Sequence, residues 1–145
     1  MIIDESIIKF IQNQKCASIS CLNNKNKPYA FTCFFAFNSE DALLYFKSSK
    51  DADHFKWIKK KPFVSGTILP DTLNTLFIQG IQFDGELLAD NHPQSKGNSL
   101  FYYKNNPLGI AIPGDILTLR IDKIKFTDFG NGIWKKYIWN RSNEI

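Results

Sequence analysis

The densest grouping of chemistry-bearing side chains is the run Tyr45-Phe46-Lys47-Ser48-Ser49-Lys50-Asp51. Here a strand feeds a helix through two hydroxyls flanked by cations. Free N–H groups at a helix start attract phosphate, and a hydroxyl and a lysine complete such a cradle. The same residues also suit a plain helix start, with Ser49 as cap and the lysines in solvent. His54 follows on that helix, as an anchor beside the hydroxyls or as a surface residue.

Two further groupings stand apart. Gln79 lies on the apolar side of a strand between Phe77 and Ile81. A buried amide needs partners, so it either bonds nearby backbone or faces a ligand. Near the C-terminus, alternation puts Lys135, Trp139 and Arg141 on one side. Charge beside indole can flank a flat anionic ligand, and lysine is equally common on a solvated edge strand. Neither His54 nor His92 has a Cys or carboxylate at ligand spacing, so no metal site is expected. No glycine-rich phosphate loop, Ser/His/Asp order or paired-carboxylate motif is present.

These side chains must be held by the elements around them. Residues 4–14 read as a helix capped by Asp4, with Ile7, Ile8 and Ile11 at helical spacing. Residues 16–22 and 28–38 read as a hairpin across a polar link from Asn23 to Pro28. The second strand sets Tyr29, Phe31, Cys33, Phe35 and Phe37 on one face. Ala30, Thr32, Phe34 and Ala36 fall on the other. Both faces are largely apolar, which predicts cover on both sides. After a turn at Ser39-Glu40-Asp41 comes a strand over 42–48, then a helix to about Lys60, ended by Pro62. Strands follow at 63–69 and 76–89, with helix over 93–105 started by Pro93, and an irregular stretch from Pro107 to Pro113.

The strand 115–128 changes parity. Leu117, Leu119 and Ile121 share a face, while Ile124 and Phe126 fall on the opposite parity, so a β-bulge is expected near Asp122-Lys123. A hairpin turn at Phe129-Gly130-Asn131-Gly132 leads to a last strand over 133–140. Seven strands joined mainly by hairpins predict a mainly β fold, an antiparallel barrel with helical covers.

Bulk properties narrow the setting. The chain has 145 residues, which suits one domain over 1–145 with a core large enough to need no staple. Thirteen Phe and 14% aromatic residues favour pleated surfaces. The net charge is +4, but only Arg120 and Arg141 among the 18 basic residues are arginine. Nucleic-acid surfaces favour Arg forks, so no nucleic-acid partner is expected; an anionic small ligand suits the charge better. Of the three cysteines, Cys16 and Cys21 sit an odd number apart on one strand. Their side chains oppose each other and extended chain sets them roughly 16 Å apart, so free thiols in a reducing compartment are expected. An acidic start without a long apolar run is no signal peptide or membrane span, so the expected location is cytoplasmic.

Three stretches carry a family likeness: Ile78-Gln79-Gly80-Ile81-Gln82-Phe83-Asp84-Gly85-Glu86, Ile121-Asp122-Lys123-Ile124-Lys125-Phe126-Thr127-Asp128 and Lys135-Lys136-Tyr137-Ile138-Trp139. With the order of elements, they make the chain resemble the pyridoxamine-phosphate-oxidase-like FMN-binding split barrels, and within them a small YhbP-like bacterial group. The resemblance implies a split β-barrel, a homodimer and an FMN site at its interface. The flavin ring is then expected against the second strand at Phe31, Thr32, Cys33 and Phe34. Its phosphate falls at Ser48, Ser49 and Lys50 with His54 nearby, Gln79 stands where relatives can carry a basic residue, and the partner's Lys135 and Trp139 close the site. A flavin oxidoreductase is the activity implied, with Lys135 stabilising negative charge on the reduced ring. Asp51 and Asp53 stand where the family usually places cations. The alternative is therefore a dimeric barrel that has lost FMN, or that holds another flat ligand such as haem or a different flavin.

Overall fold

A computed structural model describes residues 2–130 and 132–141. The helix α1, Glu5–Gln12, starts where Asp4 Oδ1 accepts from Ser6 N at 2.8 Å, and buries Ile7, Phe10 and Ile11. The hairpin of β1 (Cys16–Leu22) and β2 (Pro28–Asn38) has the expected limits. Asn23 Oδ1 accepts from the N–H groups of Lys25 and Lys27 and so closes its link. After β3 (Leu43–Ser48) come α2 (Asp53–Lys60), β4 (Phe63–Ile68) and β5 (Ile78–Leu87). A 3-10 turn, Pro93–Ser95, precedes α3 (Asn98–Asn105), and a second one covers Pro107–Ala111. Two further strands follow, β6 (Asp115–Gly130) and β7 (Ile133–Asn140).

All pairings are antiparallel, in the order β3-β2-β1-β4-β5-β6-β7, and β3 also pairs with β6. That extra pairing closes six strands into a barrel. β6 serves two partners on one edge: residues 115–120 pair with β3 and residues 123–130 with β7. The bulge falls between the two halves. Asp84 pairs with Lys123 but Gly85 pairs with Ile121, which leaves Asp122 as the extra residue. The parity change in the sequence is this bulge; it returns Ile124 and Phe126 to the interior.

Asp122 also anchors both arginines. Its carboxylate lies 2.8 Å from Arg120 Nε and 3.5 Å from Arg141 Nε. Arg141 donates onward to the carbonyls of Ile121, Asp41 and Ala42, which ties the end of β7 to the start of β3. The barrel interior is filled by Ile19, Phe46, Ile81, Leu119, Ile121 and Phe126 among others, with Phe10 of α1 4.9 Å from Phe126. A second, smaller core lies outside the barrel wall, where Ala36, Leu43, Tyr45 and Ile116 meet Tyr102 of α3.

Three expectations need correction. Ser49 does not cap α2: its Oγ accepts from Asp51 N at 3.3 Å in a local turn, and the cap position is Ala52, which makes no side-chain cap bond. The helix expected over 93–105 is broken at Gly97, whose φ of +78° is left-handed. β5 is shorter than 76–89, and exposed Phe77 only bridges back to Asn74. Asn131 of the last hairpin turn lies outside the described residues.

Candidate functional site

The β3–α2 junction is closed by its own contacts. Ser48 is buried, and its Oγ lies 2.9 Å from His54 Nε2. At the second position of α2, the His54 ring stacks on Phe31 with centroids 3.7 Å apart and planes 6° apart. Burial pushes the His54 imidazole below its usual range, against a smaller upward pull from Asp53. Tyr29 and Trp57 extend the aromatic group, 5.1 Å apart edge to face. Ser48, His54 and Phe31 are thus one contiguous packing unit.

Beyond Ser48 the junction is acidic. Ser49 Oγ accepts from the Asp51 amide in a local turn. Lys50 Nζ lies 3.6 Å from the Asp115 carboxylate. Asp51 and Asp53 stand exposed on either side of the helix start. A phosphate dianion placed here would meet three carboxylates, with a single exposed lysine already shared. Ser48, Ser49, Lys50 and His54 therefore do not fit the phosphate group of FMN.

The two faces of β2 have different fates. Phe31 and Cys33 point inward and pack on the barrel core. Cys33 Sγ is 3.9 Å from the Ala17 carbonyl, and burial, with the nearby Cys16 thiol, pushes it up to about 12. Thr32 and Phe34 point outward, and Phe34 is 54% exposed. The expected cover on both faces is found only at Phe35, Ala36 and Phe37. Along the outward face the rung Thr32, Ser18, Thr67, Gln82 crosses four strands, followed by Ala30, Ser20, Ser65 and Asp84. On β2, β1 and β4 these side chains are small or hydroxylated, with Gln82 and Asp84 beyond them on β5 and Phe34 next along β2; they form an exposed platform.

Gln79 and Lys135 lie together within one chain, whereas the resemblance brings Lys135 to the site from a partner subunit. They line a cavity of about 280 Å³ with Phe77, Asp128, Gly130 and Ile133. Gln79 Nε2 donates to Asp128 Oδ1 at 3.1 Å, so its partner is a side chain and not the nearby backbone. Trp139 is not part of this group. It is on the same strand side as Lys135, but it lies over Ile124 and is only 7% exposed, in the barrel core. β7 leaves solvent and enters the barrel along its length, which separates the two residues.

Lys47, one of the cations flanking the two hydroxyls in the sequence, lies on the outward side of β3. Its Nζ donates to Tyr103 Oη at 2.7 Å and to the Gly109 carbonyl at 2.8 Å. Both partners lie more than 50 residues away in the chain, so no local pattern signals them. Among the described residues no group of three metal-ligating side chains occurs, and no helix is long and apolar enough to cross a membrane.

With this geometry in place, likenesses to known proteins become informative. No family model matches the chain. It is 28% identical over 140 residues to a UPF0306 protein of Cronobacter sakazakii, covering 97% of this chain and 96% of that one. It is 25% identical over 123 residues to the UPF0306 protein YhbP of Salmonella paratyphi A, covering 85% and 84%. Among solved structures, a haem-binding protein from Mycobacterium smegmatis superposes with a TM-score of 0.75 at 11% identity. That match covers 94% of this chain, which spans 59% of the other. An FAD-binding protein from Mesorhizobium loti superposes with a TM-score of 0.68 at 15% identity, covering 89% and 96%. At such identities the structural likeness speaks to the fold alone. The chain is thus similar over nearly its whole length to UPF0306 proteins, and its fold is the split barrel, mainly antiparallel β.

Proposed function

We propose that this chain is a homodimeric ligand-binding split barrel that seats a flat aromatic ligand, a flavin or haem, on the outward face of β2. The observation that carries the reading is the uncovered stretch Ala30, Thr32 and Phe34, a platform of small side chains ending in an exposed phenyl ring. Aromatic rings stack well on such a surface. The fold neighbours described as haem-binding and FAD-binding support the ligand class.

The dimer reading rests on a second surface. Leu100, Leu108, Ile110 and Ile112 are exposed on and after α3, and Asn106 Nδ2 holds this segment against the Phe35 carbonyl of β2. The apolar surface therefore continues from the platform. Contiguous exposed apolar patches mark interfaces in soluble proteins, and a second copy would cover this one.

A flavin oxidoreductase is the second reading. It is favoured by the cavity that brings Gln79 and Lys135 together with an aromatic side chain. The closed, acidic junction weighs against FMN held by its phosphate there, so simple ligand binding is placed first. The test is an absorbance spectrum of the purified protein, as isolated and after incubation with FMN, riboflavin and haemin. A bound chromophore or a saturable spectral change with one of them supports the reading. Unchanged spectra with all three overturn it.

A further inference from the structure

Lys47 is half-buried, and among the described residues its ammonium is bonded to neutral acceptors. Nζ gives one proton to Tyr103 Oη and one to the Gly109 carbonyl, and lies 4.9 Å from the Tyr103 ring centroid. A lysine ammonium has three protons, so one remains. The Tyr103 hydroxyl accepts from Lys47 and keeps its own proton, for which the described residues provide no acceptor. No carboxylate pairs with Lys47 among the described residues; Asp115, opposite the neighbouring Ser48, is taken by Lys50. Two unspent donors, one of them charged, therefore converge at one place.

That place adjoins Phe34. β2 and β3 pair through Ala36 with Tyr45 and Phe35 with Phe46. The pairing ends there; Phe34 and Lys47 are the next residues along each strand, both on the outward side. The bond from Asn106 Nδ2 to the Phe35 carbonyl holds the segment that delivers Tyr103 and Gly109 onto this edge. A strap between β3 and the 107–111 turn needs only a neutral donor. An ammonium with a proton to spare and no carboxylate partner among the described residues is open to an incoming anion.

We propose that Lys47 and Tyr103 form the anion seat for the ligand whose ring lies on Phe34, binding its phosphate or carboxylate group. This rests on the platform reading above and replaces the β3–α2 junction as the charged anchor. Charge-assisted hydrogen bonds from an ammonium and a phenol to one anionic oxygen group supply both strength and orientation.

The test compares ligand pairs that differ only in the acid: FMN against riboflavin, and haemin against its dimethyl ester, titrated by absorbance and fluorescence into the full chain. The wild type should prefer the acid member of one pair about tenfold or more. A preference in the flavin pair identifies phosphate; one in the haem pair identifies carboxylate. Lys47→Met should erase the preference, Lys47→Arg should keep part of it, and Lys50→Met should leave it intact. If Lys47→Met fails to fold, Tyr103→Phe serves, and should reduce the preference while riboflavin or ester binding stays. A preference that survives Lys47→Met and Tyr103→Phe, disappears in Lys50→Met, or is absent from the wild type while both members bind, overturns the seat alone. No binding of any of the four compounds by the wild type removes the platform reading and the seat with it.

Discussion

The imidazole of His54 lies flat on the ring of Phe31, 3.7 Å between centroids, while its Nε2 meets Ser48 Oγ at 2.9 Å. One side of β2 is thereby covered by the chain itself. A ligand ring cannot lie on Phe31 without displacing His54, and displacing His54 strips the buried Ser48 hydroxyl of a partner. Phe34, three residues on and on the opposite face, has no such cover.

The same pair makes stability respond to acid. Burial lowers the His54 pKa from its ordinary value of 6.5. Between that value and the lower folded one, the unfolded chain binds more protons than the folded chain, so stability rises with pH and is lost as pH falls below 6.5. The thermal unfolding midpoint should drop between about pH 7.5 and about pH 5.5. The drop should be smaller in His54→Phe, which keeps the stack without the titration. Equal drops in the two proteins would contradict this account.

The apolar segment after α3 should set the oligomeric state. Leu108 is 88% exposed and Ile110 72% in the single chain. Light scattering at micromolar concentration is expected to give a dimer for the wild type and a monomer for Leu108→Asp/Ile110→Asp, with unchanged far-UV circular dichroism. A monomeric wild type would sink the dimer.

The bulge depends on a close approach of two backbones. A Cβ on Gly85 would lie 2.6 Å from the Arg120 carbonyl oxygen, whereas one on Gly80 would meet nothing nearer than 3.9 Å. Gly85→Ala should destabilise by about 1–3 kcal/mol in urea unfolding. Gly80→Ala should cost clearly less, and equal costs would show that the bulge tolerates a methyl.

Thiol chemistry should distinguish the three cysteines. Cys16 is exposed, burial raises the Cys21 thiol, and Cys33 is pushed up to about 12. At neutral pH the native protein should react quickly with Ellman's reagent at one position, and Cys16→Ser should remove that fast phase. In denaturant all three should react. A fast phase that persists in Cys16→Ser would show that the barrel wall opens at β1 or β2.

Much of this architecture is legible in the residues. The limits of β1 and β2 follow from the polar link between them, and the bulge follows from the parity change between Ile121 and Ile124. What periodicity cannot tell is what covers a face. Apolar alternation on both sides of β2 says that both want cover, not that His54 supplies one and the chain leaves the other open. Alternation likewise puts Lys135 and Trp139 on one side without revealing that β7 passes from solvent into the barrel between them. Gly97 breaks a helix whose flanking pattern is continuous, because only the left-handed φ reveals the stop. Lys47 reads in the sequence as a cation beside two serines, and its partners Tyr103 and Gly109 are too distant in the chain for that pattern to reveal.

The central claim is that the outward face of β2, and not the β3–α2 junction, carries the ligand. The most direct measurement is a titration of FMN, riboflavin and haemin into wild type, Phe34→Asp and Ser49→Ala, followed by absorbance, with circular dichroism to check folding. The account predicts saturable binding of at least one ligand by wild type and by Ser49→Ala, and its loss in a folded Phe34→Asp. Binding that survives Phe34→Asp but is lost in Ser49→Ala would place the ligand at the junction and contradict the account.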